Sequence, residues 1–148
     1  MRRPSRMLTL DSNVLIAALK KDEFYSRKCS EILEKVPEVF ILSEPSVVYQ
    51  EVCGSLARKV GTDVANEAKT ILDMIIHPKL LADCNKGFCA SAYPLCAEYN
   101  VYAIDAMYLK VALDGHAVLV SLDKEDFIEQ VNSKKPNTEA FHVSDFPY

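Results

Sequence analysis

Four acidic residues lie next to predicted buried strands or near the starts of predicted helices, where one site could be built. They are Asp11, Glu51, Asp105 and Asp123. Two carboxylates about 4 Å apart in a partly screened site repel by roughly 4 kcal/mol, so a chain that gathers several must raise their pKa values or bind a cation. Ligands that are all oxygen favour Mg²⁺ or Mn²⁺ over zinc, and such ions polarise phosphates and activate water. The chemistry predicted from these residues is hydrolysis of a phosphodiester.

Two of the acids follow short apolar runs. Asp11 comes directly after residues 7–10, and Asp123 closely follows residues 117–120. Runs of this kind, alternating with helical patterns, are typical of buried strands in a parallel sheet. Ligand sites of open α/β sheets lie beyond the carboxyl ends of the strands. We therefore expect both aspartates to face the same crevice.

The other two acids lie in predicted helices. A further strand is predicted at residues 39–42, after which Ser43 as a cap and Pro45 in the first turn predict a helix that carries Glu51. Asp105 lies near the start of the helix that leads into the strand before Asp123. Strand and helix alternate throughout, which predicts a three-layer α/β/α sandwich with a mostly parallel central sheet, formed as a single domain over residues 1–148.

Composition narrows the classes of function. The 148 residues carry 17 basic and 21 acidic side chains, for a net charge of −4. Proteins that wrap nucleic acid usually have a basic excess, so any such contact must rest on bound cations or on a local patch such as Arg2, Arg3 and Arg6. Five cysteines without a CxxC pair, and no secretory signal, predict reduced thiols in a cytoplasmic protein. No stretch approaches the roughly 20 apolar residues of a membrane span.

At these acids the chain resembles the PIN-domain nucleases, and among them the VapC-type toxin ribonucleases. The resemblance covers essentially the whole length and is carried, in order, by LTLDSNVLI, VVYQEVCGSLAR, AIDAMYLKVAL and GHAVLVSLDKEDF. It implies a PIN-like sheet with helices on both faces. It also implies that Asp11, Glu51 and Asp105 form the metal-binding and catalytic core and that Asp123 completes the site, directly or through water.

The resemblance extends to supporting residues. Ser121 stands where the family more often has Thr, and it would hydrogen-bond near the metal or the phosphate. Asn13 would brace the loop after Asp11. Helix spacing, and not the resemblance, identifies Arg58: it follows Glu51 by seven residues on the same helix face and is the candidate for a contact with the phosphate of RNA.

The function implied is a Mg²⁺- or Mn²⁺-dependent endoribonuclease with a four-carboxylate site, acting as the toxin of a toxin–antitoxin pair. Its implied partners are RNA, a second copy of the chain and an antitoxin protein. The alternative is a non-catalytic PIN module that binds RNA or a protein partner, and metal-dependent cleavage separates the two. Receiver domains and HAD-type phosphatases also end strands in Asp. A receiver would need Asp where Ser43 follows the second strand, and the phosphatase would need Asp in place of Asn13.

Overall fold

The central feature of the fold is a five-stranded sheet in which every neighbouring pair is parallel. The structure, a computed structural model, describes residues 5–148, so Arg2 and Arg3 of the predicted basic patch lie outside the described residues. In spatial order the sheet runs β3-β2-β1-β4-β5. The strands are β1 (Arg6–Leu10), β2 (Phe40–Pro45), β3 (Ile76–Ala82), β4 (Val118–Ser121) and β5 (Ala140–His142). The predicted parallel sheet of an α/β/α sandwich is confirmed.

The helices form two groups around this sheet. They are α1 (Ser12–Lys20), α2 (Ser26–Leu33), α3 (Val47–Lys59), α4 (Thr62–Ile75), α5 (Lys86–Ala92), α6 (Pro94–Tyr99), α7 (Ala103–Gly115) and α8 (Glu129–Ser133), with a π-helical turn at Lys124–Ile128 and a 3-10 turn at Val143–Asp145. In one group α1 packs against α2 and α3, and α3 against α4. In the other, α5 and α6 pack against α7, which lies across β1, β2 and β4. Within residues 5–148 no helix combines the length and the apolar character that crossing a membrane requires.

The strand order reverses beside β1. From β1 the chain moves outward through β2 to β3, and it later returns to place β4 on the other side of β1. The β1 residue Leu8 pairs with Leu42 of β2 and with Val118 of β4, and all three are buried. In doubly wound sheets the ligand crevice opens at the carboxyl ends of the strands where the order reverses. Here those ends are Leu10 and Ser121.

The boundary between β2 and α3 differs from the sequence prediction. The expected cap at Ser43 and helical first turn at Pro45 were wrong, because β2 continues to Pro45 and α3 begins at Val47. The Ser43 carbonyl accepts a hydrogen bond from the Thr9 hydroxyl at 2.8 Å, and the Ser46 amide donates to the Ala82 carbonyl at 2.8 Å. Contacts with the flanking strands therefore keep this segment extended where the local signals favoured a helix.

Candidate active site

Asp11 lies at the carboxyl end of β1 and is only 4% exposed. Its backbone amide donates to the Val120 carbonyl at 2.9 Å, and its Oδ2 accepts a hydrogen bond from the Ser121 hydroxyl at 2.7 Å. Although Asp11 is the N-cap residue of α1, its side chain makes no capping bond. Its carboxyl group is therefore held by the end of β4.

The Ser121 hydroxyl has its full set of partners. Besides donating to Asp11, it accepts from the Asp123 amide at 3.0 Å and from the Asn13 side-chain amide at 3.3 Å. Asn13 also accepts, through its Oδ1, from the Leu122 amide at 3.1 Å. A hydroxyl has one donor and two acceptor positions, so the orientation of Ser121 is fixed. Asn13 thereby ties the start of α1 to the end of β4.

Glu51 is held by a residue that sequence reasoning missed. Tyr108 is fully buried in α7, and its hydroxyl donates to Glu51 Oε1 at 2.8 Å. The helical spacing of apolar residues identifies Tyr108 only as part of a buried face. The further signal is its place one turn after Asp105, on a helix that the sheet brings against the acids. Tyr108 therefore joins α7 to α3 within the candidate site.

Asp105 lies within charge range of each of the other three predicted acids, and Asp11 also lies within charge range of Glu51. Burial raises the pKa of Asp11 to about 7, against the hydrogen bond from Ser121, and the charges of Asp105 and Glu51 add to the increase. Burial likewise raises the pKa of Asp105 to about 6, with contributions from Asp123, Glu51 and the exposed Asp126, which sequence reasoning did not single out. Asp123 also caps the π-helical turn by accepting from the Asp126 amide at 3.1 Å. Strand ends and helices that are distant in sequence thus contribute to one acidic site.

No basic side chain balances this site within the described residues. Among residues 5–148, none of the four acids forms an ion pair with a lysine or arginine. In the same range no three Asp, Glu, His or Cys side chains converge into a metal-binding group. The donor set itself, four carboxyl groups without nitrogen or sulfur, fits a hard divalent cation.

Arg6 and Arg58, the two basic residues singled out from the sequence that the structure describes, lie apart from the acids. Arg58 is exposed in the last turn of α3, and seven helical residues separate it from Glu51 by about 10 Å along the axis. Arg6 begins β1, so about 16 Å of extended chain separates it from Asp11. It pairs with Glu139 at 3.0 Å and lies 4.4 Å from the centre of the Tyr148 ring. The structure thus places Arg6 at the opposite end of the sheet from the acids.

Comparisons with known proteins agree with this architecture. The sequence matches the PIN domain family over residues 8–132, a range that includes all four acids. No curated protein matches the chain.

Several solved structures have the same fold. VapC20 of Mycobacterium tuberculosis, described as a toxin that cleaves the sarcin–ricin loop, is 14% identical with a TM-score of 0.65, covering 80% of this chain and 91% of that one. A toxin–antitoxin complex from Klebsiella pneumoniae is 19% identical with a TM-score of 0.67, covering 94% and 98%. VapBC2 from Rickettsia felis, bound to a DNA fragment from its promoter, is 13% identical with a TM-score of 0.61, covering 92% and 98%. At these identities the likeness concerns the fold alone.

Proposed function

The chain belongs to the PIN-domain family, and on that premise we propose that it is an endoribonuclease that requires Mg²⁺ or Mn²⁺. Its catalytic and metal-binding residues are Asp11, Glu51, Asp105 and Asp123. One observation carries this proposal. Burial, with the charges of acids from separate elements, raises the pKa values of Asp11 and Asp105 well above their ordinary range, and no basic side chain among residues 5–148 pairs with them. A divalent cation is the partner that removes this repulsion.

The chain's own residues orient the carboxyl groups. Ser121 holds Asp11 by a 2.7 Å hydrogen bond, and Tyr108 holds Glu51 by one of 2.8 Å. Such outer hydrogen bonds fix the direction of metal-binding carboxylates and tune their basicity. A divalent cation, when bound, supplies the charge that polarises the phosphodiester and activates water. The acids cannot serve as phosphate-binding groups without it, since carboxylates repel the RNA backbone.

We also propose that the protein is the toxin of a toxin–antitoxin pair, with a protein antitoxin and a second copy of the chain as partners. Support for the antitoxin comes from the similar structures, since those from Klebsiella pneumoniae and Rickettsia felis are toxin–antitoxin assemblies. The homodimer follows from the family resemblance alone, and sedimentation of the purified chain checks it. RNA as the substrate class is supported by the family resemblance, while the hydrolytic chemistry of the acids requires only that the substrate is a phosphodiester.

The test is cleavage of a mixed RNA pool, including ribosomal RNA, in Mn²⁺, in Mg²⁺ and in EDTA. Asp105→Asn should lower metal-dependent cleavage by roughly 10²-fold or more, because it removes a charged group from the reacting centre. Asp114→Asn is the matched control: Asp114 lies on the same helix but pairs with Lys110 at 2.7 Å, and this variant should cleave normally. Folded wild-type protein that cleaves nothing with either metal would favour the non-catalytic PIN module.

A further inference from the structure

Glu44 is a fifth acid beside the site, and it is entirely buried. It lies in β2, next to β1, and is 0% exposed. Its Oε1 accepts a hydrogen bond from the Leu10 amide at 2.7 Å, while its Oε2 has no hydrogen-bond partner among residues 5–148. Buried polar atoms are nearly always paired, and an unpaired one destabilises the fold, the more so when it is charged. The unpaired oxygen therefore requires an explanation.

The side chain of Glu44 takes over part of the strand pairing where β1 ends. Regular pairing of β1 with β2 ends with Leu8 beside Leu42. Beyond that point the Thr9 hydroxyl donates to the Ser43 carbonyl at 2.8 Å, and the Leu10 amide donates to Glu44. Because Leu10 immediately precedes Asp11, the Glu44 carboxyl group fixes the backbone from which Asp11 projects.

Glu44 also lies within charge range of the other side of the site. The charge of Asp11 is among the causes that raise the pKa of Glu44, after burial. The charge of Glu44 comes next after burial among the causes that raise the pKa of Tyr108, ahead of that of Glu51. Tyr108 is the residue whose hydroxyl holds Glu51. Glu44 thus contacts the backbone that precedes Asp11 and lies within charge range of Tyr108, whose hydroxyl holds Glu51.

An anchor for the Leu10 amide does not require a carboxyl group. A glutamine amide oxygen accepts the same hydrogen bond, and burying a neutral amide costs far less than burying a carboxylate. The presence of Glu rather than Gln at this position is explained if the carboxyl group also interacts with a cation. We propose that Glu44 is a fifth carboxyl group of the site, a positioning residue that fixes Asp11 through Leu10 and whose free Oε2 strengthens binding of the divalent cation. The proposal rests on the metal-dependent function proposed above.

The experiment is a calorimetric titration of the metal-free 148-residue chain with Mn²⁺ alone. Glu44→Gln retains the acceptor for the Leu10 amide, so we expect it to fold with an unchanged or higher Tm in EDTA. Its affinity for Mn²⁺ should be about 10- to 100-fold weaker than that of the wild type, the usual effect of removing an outer partner of a metal ligand. Mn²⁺ binding by Glu44→Gln with wild-type affinity would overturn the proposal.

Thr9→Val is the matched control for loosening of the strand end. It removes the other side-chain hydrogen bond between β1 and β2 without changing charge, so it should lower the Tm but keep the Mn²⁺ affinity. An equal loss of Mn²⁺ affinity in Thr9→Val and Glu44→Gln would show that the affinity depends on how firmly the end of β1 is held. It would contradict a role for the charge of Glu44.

A second variant separates charge from anchoring. Glu44→Asp keeps the carboxyl group but shortens its reach to Leu10, so it should be less stable than Glu44→Gln and yet bind Mn²⁺ more tightly. The reverse order of affinities would overturn the proposal even if one variant folds poorly. Wild-type protein that binds no Mn²⁺ would refute the metal-dependent function itself, whereas tight wild-type binding with no effect of Glu44→Gln refutes the role of Glu44 alone.

Discussion

The raised pKa of Asp11 predicts that the metal-free protein loses stability as the pH rises. The ordinary pKa of the group is 3.8, and burial with neighbouring acids raises it to about 7 in the folded protein. Between these values the folded state binds more protons than the unfolded state, so the free energy of unfolding decreases with pH. The contribution of protonated Asp11 to the free energy of unfolding is fully present below about pH 4 and is lost as the pH rises through 7.

The size of this effect follows from the two pKa values. The full difference corresponds to about 4 kcal/mol, at 1.36 kcal/mol per pKa unit, and about 2.5 kcal/mol of it falls between pH 5 and pH 8. For a chain of this length 1 kcal/mol corresponds to a change in Tm of roughly 2–4 °C. We therefore expect Asp11 alone to lower the Tm by about 5–10 °C across this pH range.

Asp11→Asn isolates the contribution. The asparagine oxygen can still accept the hydrogen bond from Ser121, but the side chain does not titrate. In EDTA its Tm should decrease by about 5–10 °C less than that of the wild type between pH 5 and pH 8. The stability of the variant relative to the wild type therefore increases with pH. Thermal denaturation followed by circular dichroism at four pH values measures both curves.

The control is Asp145→Asn, which removes an exposed aspartate of the 3-10 turn and should follow the wild-type curve. Titration of groups that do not interact with Asp11 cancels in the difference between wild type and variant. Parallel curves for the wild type and Asp11→Asn would refute the reasoning, since they would mean that Asp11 titrates at the same pH in the folded and unfolded chains.

Three further predictions concern residues around the acids. Ser121→Ala should weaken Mn²⁺ binding by about 10-fold or more because Asp11 loses its orienting hydrogen bond, whereas Ser121→Thr keeps the hydroxyl and should bind normally; titration with Mn²⁺ distinguishes them. Tyr108→Phe should lower the free energy of unfolding by about 1.5–3 kcal/mol through loss of the hydrogen bond to Glu51, and an unchanged urea midpoint would contradict this. Arg58→Ala should flatten the salt dependence of RNA binding by about one phosphate contact; an unchanged slope in filter-binding assays would remove Arg58 from the RNA surface.

The sequence predicts the sheet well because parallel strands are buried on both faces. Leu8, Leu10 and Val120 belong to short continuous apolar runs, and each is fully buried in its strand. The carboxyl ends of such runs then locate Asp11 and Asp123 without any knowledge of distant contacts. The local pattern therefore predicts both the fold class and the edge of the sheet at which Asp11 and Asp123 lie.

Local pattern fails where a distant partner decides the structure. Glu44, between serine and proline, is typical of an exposed turn, yet its hydrogen-bond partner is the amide of Leu10, 34 residues away. Tyr108 is recognisable as buried, but the bond from its hydroxyl to Glu51 spans 57 residues. A single sequence contains no local signal for either contact, and both concern the orientation of the acids rather than their identity.

Assembling the acids from separate elements has an energetic consequence for the proposed function. In the folded protein Asp11 has a pKa of about 7, so near neutral pH a proton and a divalent cation compete for the same carboxyl group. Repulsion among the acids cannot be relieved by movement of Asp11, because the amide of Asp11 is tied to Val120 and its carboxyl group to Ser121. The strand end therefore holds the Asp11 carboxyl group within range of the charges of Asp105 and Glu51 at a cost in stability, and in the proposed function a bound cation removes that cost. On this proposal the parallel sheet converts part of its folding free energy into affinity for the metal.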